Sequence, residues 1–399
     1  MRSARGVVVL LTAAVCLLAA CTGAPRTASP AHHGGATTPE PTFAIRTGER
    51  MMSLQMPRAY RPGAPHGGTD DYRCFLLDPH LAQSAFITGI GFVPGNTRVV
   101  HHAILFRVPA EQVAAAEAKD AETPGDGWTC FGGTEIPAPA RATAPSDGLG
   151  NNGWLDAWAP GGKPVTYPDG LGVELGAGSR VVLQVHYNLL AGKAPDRTSV
   201  RLRLTPAGAG ITPLETALFP APVELPCAPA EHGPLCERKA AVLDVASRFG
   251  KDSGRTVAGL QLLCGGNPRR PHAGVTQHCD RRVRQPMTVY AAAGHMHLLG
   301  RSIRMTLNPG TARERVLVDV PVYDFDNQGA RPLPEPVLIR AGDTVRVTCT
   351  HDVALRRQLP ELQHQPPRYV VWGEGTSDEM CLGILTVTRQ PLTRPASLR

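Results

Sequence analysis

Short apolar runs alternate with glycine- and proline-rich breaks along nearly the whole chain. In the first half AFITGIGFV (85–93), RVVHHAILFRV (98–108), RVVLQVHYNLL (180–190) and SVRLRLT (199–205) are bounded by turn residues. In the second half MTVYAAAGHMHLLG (287–300), RSIRMTLN (301–308), RVLVDVPV (315–322), DTVRVTCTH (343–351) and MCLGILTVT (380–388) repeat the pattern. Runs of this length, rich in β-branched residues and cut by Gly and Pro, predict strands joined by turns. Two stretches differ. AEQVAAAEAKDA (110–121) has the composition of a short surface helix, and CERKAAVLDVASRFGKD (236–252) reads as helical ahead of the second set of strands. The expected class is all-β, two antiparallel β-sandwich domains divided near TPAGAGITP (205–213).

Composition supports this reading and narrows the setting. A chain of 399 residues exceeds one ordinary core, and 42 Gly and 38 Pro with 5% aromatics suit a loop-rich β protein. The net charge of +7 comes mostly from arginine. No basic run is interleaved with aromatics, so nucleic acid is not an expected partner. Arg2 and Arg5 precede an apolar stretch, residues 7–20, that is short for a mature membrane span and suits a secretory signal. It ends in LAAC, which resembles a bacterial lipobox and makes Cys21 the lipidated first mature residue. The expected organisation is a lipoprotein signal peptide (1–20), a flexible tether (21–48) holding His32 and His33, an N-terminal domain (49–208), a C-terminal domain (209–390) and a tail (391–399). The protein is expected to be an extracytoplasmic monomer anchored to the bacterial cell membrane through its lipid alone. Export places Cys74, Cys130, Cys227, Cys236, Cys264, Cys279, Cys349 and Cys381 in an oxidising space, where an even count suits a disulfide framework. Cys227–Cys236 and Cys264–Cys279 are near enough in sequence to pair locally. No C-x-x-C is present, which argues against a redox centre or a zinc ribbon.

Candidate chemistry lies in three histidine clusters and one methionine. His101 and His102 are adjacent, so on an ideal strand they point to opposite faces. His186 sits in LQVHYNL, with Gln184 two residues earlier on the same face, either supporting His186 or bonding locally. His295 and His297 form an H-x-H pair, which on a strand directs both rings to one side as a two-point grip on a metal. Met380 lies between an acidic turn and an apolar strand. A thioether in a ligand set selects Cu(I).

Together these segments resemble the ascorbate-dependent type II copper monooxygenases, the group of peptidylglycine α-hydroxylating and dopamine β-monooxygenases. The family order appears here as HHAILF, LQVHYN, HMHLLGR and SDEMC, with DDYRC (70–74) as entry motif and the A-W-A of LDAWAPGG between the first two. The likeness covers roughly residues 70–390. It implies two jelly-roll sandwiches, each carrying one copper across a wet cleft, with a helical, disulfide-braced insert at about 227–286 that the animal enzymes lack. His101, His102 and His186 would hold an electron-transfer copper. His295, His297 and Met380 would hold the copper that meets O2 and a small-molecule substrate, with ascorbate or another one-electron reductant as co-substrate. The resemblance also implies a Cys349–Cys381 bridge behind the methionine, whereas Cys74 and Cys279 lack their usual family partners.

Departures bear on the substrate. Ala293, Leu382 and Ile384 stand where the peptidylglycine enzymes place the Arg, Asn and Tyr of a carboxylate clamp. A glycine-extended peptide is therefore not expected. Glu374, Asp378 and Glu379 are read as orienting the methionine turn, and His351 and His364 as structural or exposed. The leading function is copper-dependent C–H hydroxylation. A non-catalytic copper-binding or delivery lipoprotein is the alternative, while a zinc hydrolase lacks H-E-x-x-H and leaves Met380 without a task. For both rings of the His101–His102 pair to reach one ion with His186, the strand must bulge or end there.

Overall fold

The computed structural model describes residues 44–64, 68–137, 153–208 and 210–389. The signal sequence, Cys21, the tether histidines and the tail lie outside these. In the first half, five antiparallel strands run side by side in the order Trp128–Thr129, Asp70–Leu77, Arg180–Asn188, Val100–Val108 and Trp154–Trp158. A second sheet runs Arg50–Gln55, Ser199–Pro206, Ala85–Val93, Leu171–Leu175 and Thr212–Pro213, its last pairing parallel. Strand alternation explains how they stack. Leu183 and Val185 share a core with Ile87, Ile90, Val200 and Leu202 of the opposite sheet, and Gln184 and His186, by the two-residue period, project from the other face. That outer face also carries Tyr72, directly across from His186.

The second half repeats the architecture. One sheet runs Glu215–Pro220, Leu382–Thr388, Met287–His295 and Arg331–Ile339, and the other Thr276–Arg282, Thr344–His351, Gly300–Leu307 and Arg315–Val320, all antiparallel. Val289, Ala292, Leu385 and Val387 of the first meet Ile303, Met305, Val345 and Val347 of the second in one core. The chain passes from one pair of sheets to the other between Pro213 and Glu215. Tyr72 crosses over to join the second core, and Tyr290 packs against the first. The all-β expectation holds.

The insert contains two helices rather than one. Arg238–Phe249 buries Ala241, Val245 and Phe249, a stripe at four-residue spacing, against the second core. Gly250, at φ +85°, breaks it, and Lys251–Leu263 follows. The sequence reading missed that second helix because Ser253, Gly254, Thr256 and Gly259 lower its propensity, while burial of Val257 and Leu260 overrides them. Disulfides Cys227–Cys236 and Cys264–Cys279 brace the insert. Cys349–Cys381 ties the strand Thr344–His351 to the chain just beyond Met380, and Cys74 pairs with Cys130.

Gly294, one residue before His295, leaves no room for a methyl. A Cβ there would run into Ile303 Cγ2 and lie 3.0 Å from its Cδ1, and Ile303 is fully buried with little rotamer freedom. Gly294→Ala is expected to cost about 1–3 kcal/mol by overpacking, read as a lower urea midpoint with unchanged slope.

Candidate metal centres

The ladder between Val100–Val108 and Arg180–Asn188 slips where the sequence demanded it. Val100 pairs with Tyr187, yet His102 pairs with His186, so His101 is the extra residue of a bulge. The bulge turns both adjacent rings toward His186. Nδ1 of His101 lies 2.9 Å from Nδ1 of His186, and Nδ1 of His102 lies 3.3 Å from each of the other two. A point equidistant from three nitrogens so spaced is about 1.8 Å from each, close to the metal–nitrogen bond of about 2.0 Å. Three neutral imidazoles aiming lone pairs at one spot repel unless a cation sits among them, so the donor set fits a metal ion.

Two of the rings are held from behind. His186 Nε2 donates to Asp70 Oδ1 at 2.8 Å, which fixes the proton on Nε2 and frees Nδ1. The same oxygen accepts from Thr376 N at 3.0 Å and from Thr376 Oγ1 at 2.6 Å. Burial would raise the Asp70 carboxyl, but His186 and Thr376 outweigh it and hold its pKa near 2. Tyr72 stacks on His186 with ring centroids 3.9 Å apart and donates its hydroxyl to the Glu374 carbonyl. Phe325 stacks on His101 at 4.5 Å. Gln184 donates to the Gly133 carbonyl, 51 residues away in the chain, at 2.9 Å beside the Cys74–Cys130 bridge. The support for His186 comes instead from Asp70. The sequence reading quoted Asp70 in its entry motif without assigning it a role.

The second cluster uses the opposite ring edge. The strand Met287–His295 ends at its last residue, so His297 lies in the following turn rather than on the strand. The two rings still meet edge to face, 5.2 Å apart. His295 Nδ1 donates to Gln328 Oε1 at 2.6 Å, and His297 Nδ1 to the Asp378 carbonyl at 3.3 Å. Both protons therefore sit on Nδ1, and the Nε2 lone pairs are free. His297 Nε2 is buried without a partner. Met380 is bracketed by the pair, since Asp378 contacts His297 and Leu382 is in register with His295. Glu379, fully buried, accepts from the backbone of His297 and Leu299 and braces the turn. His351 is buried with Nε2 3.5 Å from Glu379, and His364 is exposed.

The two clusters are close neighbours. The His102 and His295 rings are 6.1 Å apart, and His102, His295 and Met380 line one cavity of about 1460 Å³. Leu382, Ile384 and Ala293 form part of its apolar wall. Glu374 also lines it, its carboxyl pushed up to about 7 by burial and by Asp378.

The chain matches the N-terminal domain of the copper type II ascorbate-dependent monooxygenases over residues 63–194 and their C-terminal domain over residues 267–387, together more than half its length. It is similar to the mouse (Mus musculus) DBH-like monooxygenase protein 2, with 25% identity over 240 residues, 57% of this chain and 31% of that protein. The chain thus spans about a third of that relative's length. Solved structures overlay slightly. A vicilin from hazelnut (Corylus avellana) is 10% identical with a TM-score of 0.16 over 80% of this chain and 75% of that one. A mutant oxalate decarboxylase from Bacillus subtilis is 8% identical with a TM-score of 0.15 over 92% and 80%. Scores this low carry no argument.

Burial, and then the neighbouring imidazoles, hold His101 and His102 well below the ordinary histidine value, and His295 falls to about 3. Below about pH 6.5 the unfolded chain takes up protons that the folded, metal-free chain excludes, so stability falls as pH falls. Each such group contributes up to about 1.4 kcal/mol per pH unit. The melting temperature of metal-free protein should drop continuously from pH 7 to 5, and copper should delay the drop by competing with protons. A flat metal-free profile would contradict this electrostatic account.

Proposed function

This chain belongs to the copper type II ascorbate-dependent monooxygenase family, and from that premise we propose that it hydroxylates an sp3 C–H bond of a small organic substrate with O2 and a one-electron reductant such as ascorbate. One observation supports the reading above the others. Imidazoles from both halves, His102 and His295, line a single cavity with Met380. In this reading His101, His102 and His186 hold one copper through Nδ1, and His295 and His297 through Nε2, with the Met380 thioether, hold a second. Copper at these two positions supplies O2 activation and one-electron transfer. The remaining work falls to the chain. Asp70, Gln328 and the Asp378 carbonyl keep the distal protons of His186, His295 and His297 on the non-ligating nitrogens, so these three imidazoles offer a lone pair without first losing a proton.

The cavity lining supports a substrate class. Its wall around Met380 is apolar, with Leu218, Leu382 and Ile384. Acids Glu111, Glu135, Asp156, Glu174, Asp252 and Glu374 face only Arg107 and Lys163 there, although the whole chain carries +7. Away from the two metal positions, whose own positive charge offsets part of it, this excess of acids suits an apolar molecule whose polar end is neutral or cationic. Four disulfides fit an extracytoplasmic setting, and among the described residues no helix is long and apolar enough to cross a membrane. The N-terminal sequence supports attachment by a lipid on Cys21.

Copper-loaded protein should consume O2 in an ascorbate-dependent manner with a substrate from a panel of phenylalkylamines and their neutral isosteres, and should reject acyl-glycines. Met380→Ile should abolish turnover while leaving copper at the histidine triad. Full activity in that variant would sink the assignment, and copper binding with no reductant-dependent uptake on any substrate would favour a delivery role. Glu374→Gln should raise KM about tenfold for a cationic substrate, a charge-assisted contact of about 1.5 kcal/mol, and leave the neutral isostere unchanged.

A further inference from the structure

Asp378, Glu379 and Met380 sit on one turn, and that turn is gripped by a side chain from outside both sandwiches. Arg248, next to last in the helix Arg238–Phe249 of the insert, donates from Nη1 to Asp378 Oδ2 at 2.9 Å and from Nη2 to Asp378 Oδ1 at 2.6 Å. This is the two-pronged geometry that only a guanidinium offers a carboxylate. Asp378 is 2% exposed at its side chain, and its Oδ2 also caps the backbone N–H of Gly375 at 3.1 Å. Asp244 and Arg368 complete the network, Asp244 accepting from both arginines. Two cations and two anions balance in charge, with Arg368 Nε left without a hydrogen-bond partner. The glycines of the turn make room for it. A Cβ on Gly375 would lie 2.7 Å from Asp378 Oδ2 and 2.8 Å from Arg248 Nη1, and one on Gly373 would lie 2.8 Å from Asp378 Cβ.

The side chain and the carbonyl of Asp378 face different tasks. While its carboxylate is clamped, its carbonyl accepts from His297 Nδ1. The orientation of that one peptide therefore decides where the proton of His297 resides, and Met380 follows two residues later. Glu379 and the Cys349–Cys381 bridge hold the same turn from the sandwich side. Backbone pairing touches this peptide only through an isolated bridge, in which Glu379 N–H donates to the Val371 carbonyl at 3.4 Å and Gly373 N–H to the Glu379 carbonyl at 3.1 Å, whereas the ladder of the strand Leu382–Thr388 begins only at Leu382.

We propose that Arg248 is a positioning residue for the second metal centre: through Asp378 it sets the tautomer of His297 and the placement of Met380, and the helical insert exists in part to deliver it. This rests on the reading of His297 and Met380 as ligands. Two readouts separate it from a purely structural role. The first is the histidine ring 15N spectrum of metal-free full-length protein, in which His297 should be the Nδ1–H tautomer. The second is the sulfur scattering around copper in X-ray absorption of the Cu(I)-loaded protein. Arg248→Met should turn the His297 signal into a tautomer mixture and cut the sulfur contribution by half or more, with the signals of the His101–His102–His186 triad unmoved. Arg248→Lys, which keeps charge but not the fork, should fall between. Arg346→Met, which breaks the exposed pair with Asp280, should alter neither readout. Wild-type signatures in folded Arg248→Met would overturn the proposal, as would failure of both Arg248 variants to fold. Wild-type protein without copper–sulfur scattering would instead overturn the ligand assignment, and the metal-free tautomer readout would still decide the role of Arg248 toward His297.

Discussion

Asp70 Oδ1 accepts three hydrogen bonds, one from a ring of the histidine triad and two from Thr376, which lies 306 residues further along the chain. The oxygen belongs to a buried carboxylate, so none of the three donors can be lost cheaply. An unpaired charge at that depth costs several kcal/mol, of the order of 3–5. The same atom thus orients His186 and docks the second half of the molecule onto the outer face of the first. Tyr72 works in parallel, stacking on His186 while its hydroxyl holds the Glu374 carbonyl. Removing either contact would loosen the triad and the junction together.

That shared anchoring explains why the two clusters are neighbours rather than partners across open water. The face of the five-stranded sheet that bears Tyr72, His102 and His186 cannot be a solvent face, because Tyr72 completes the core of the other half. The expectation of a wet cleft came from the family likeness. The 6.1 Å approach of His102 to His295 replaces it with a junction in which the cavity runs past both clusters.

Much of this was legible in the sequence, in proportion to how local the cause was. Strand positions followed from alternation and from Gly and Pro breaks. The bulge at His101 followed once the family likeness had given two adjacent rings one target with His186. Cys227–Cys236 and Cys264–Cys279 are close in sequence, whereas the Cys74–Cys130 pairing depends on Trp128–Thr129 adding to the edge of a sheet. Asp70 stayed silent because its meaning lies in Thr376. His297 was placed on a strand because H-x-H suits one, but the strand stops at His295, and the turn and Glu379 turn its ring instead. Arg248 could not be read at all. Its partner is Asp378, 130 residues further on, and the helix that carries it lies in the insert, outside the motifs that carry the family likeness.

The two clusters are consequently stabilised by different means. The triad sits on two hydrogen-bonded strands, so the ladder itself, one bulge included, fixes its three Cα positions, and side chains need only tune the rings. The use of Nδ1 fits this. Nδ1 lies nearer the backbone than Nε2, so three of them converge only where the backbones are already close. His297 and Met380 sit on turns, where backbone pairing is reduced to the isolated bridge of Glu379 with Val371 and Gly373. More of their geometry comes from side chains: Glu379, the disulfide and the Arg248–Asp378 pair. A centre assembled in this way can be reshaped by changes in a peripheral insert while the triad is left intact. That asymmetry lets the histidine triad stay fixed while the cluster around His297 and Met380 varies.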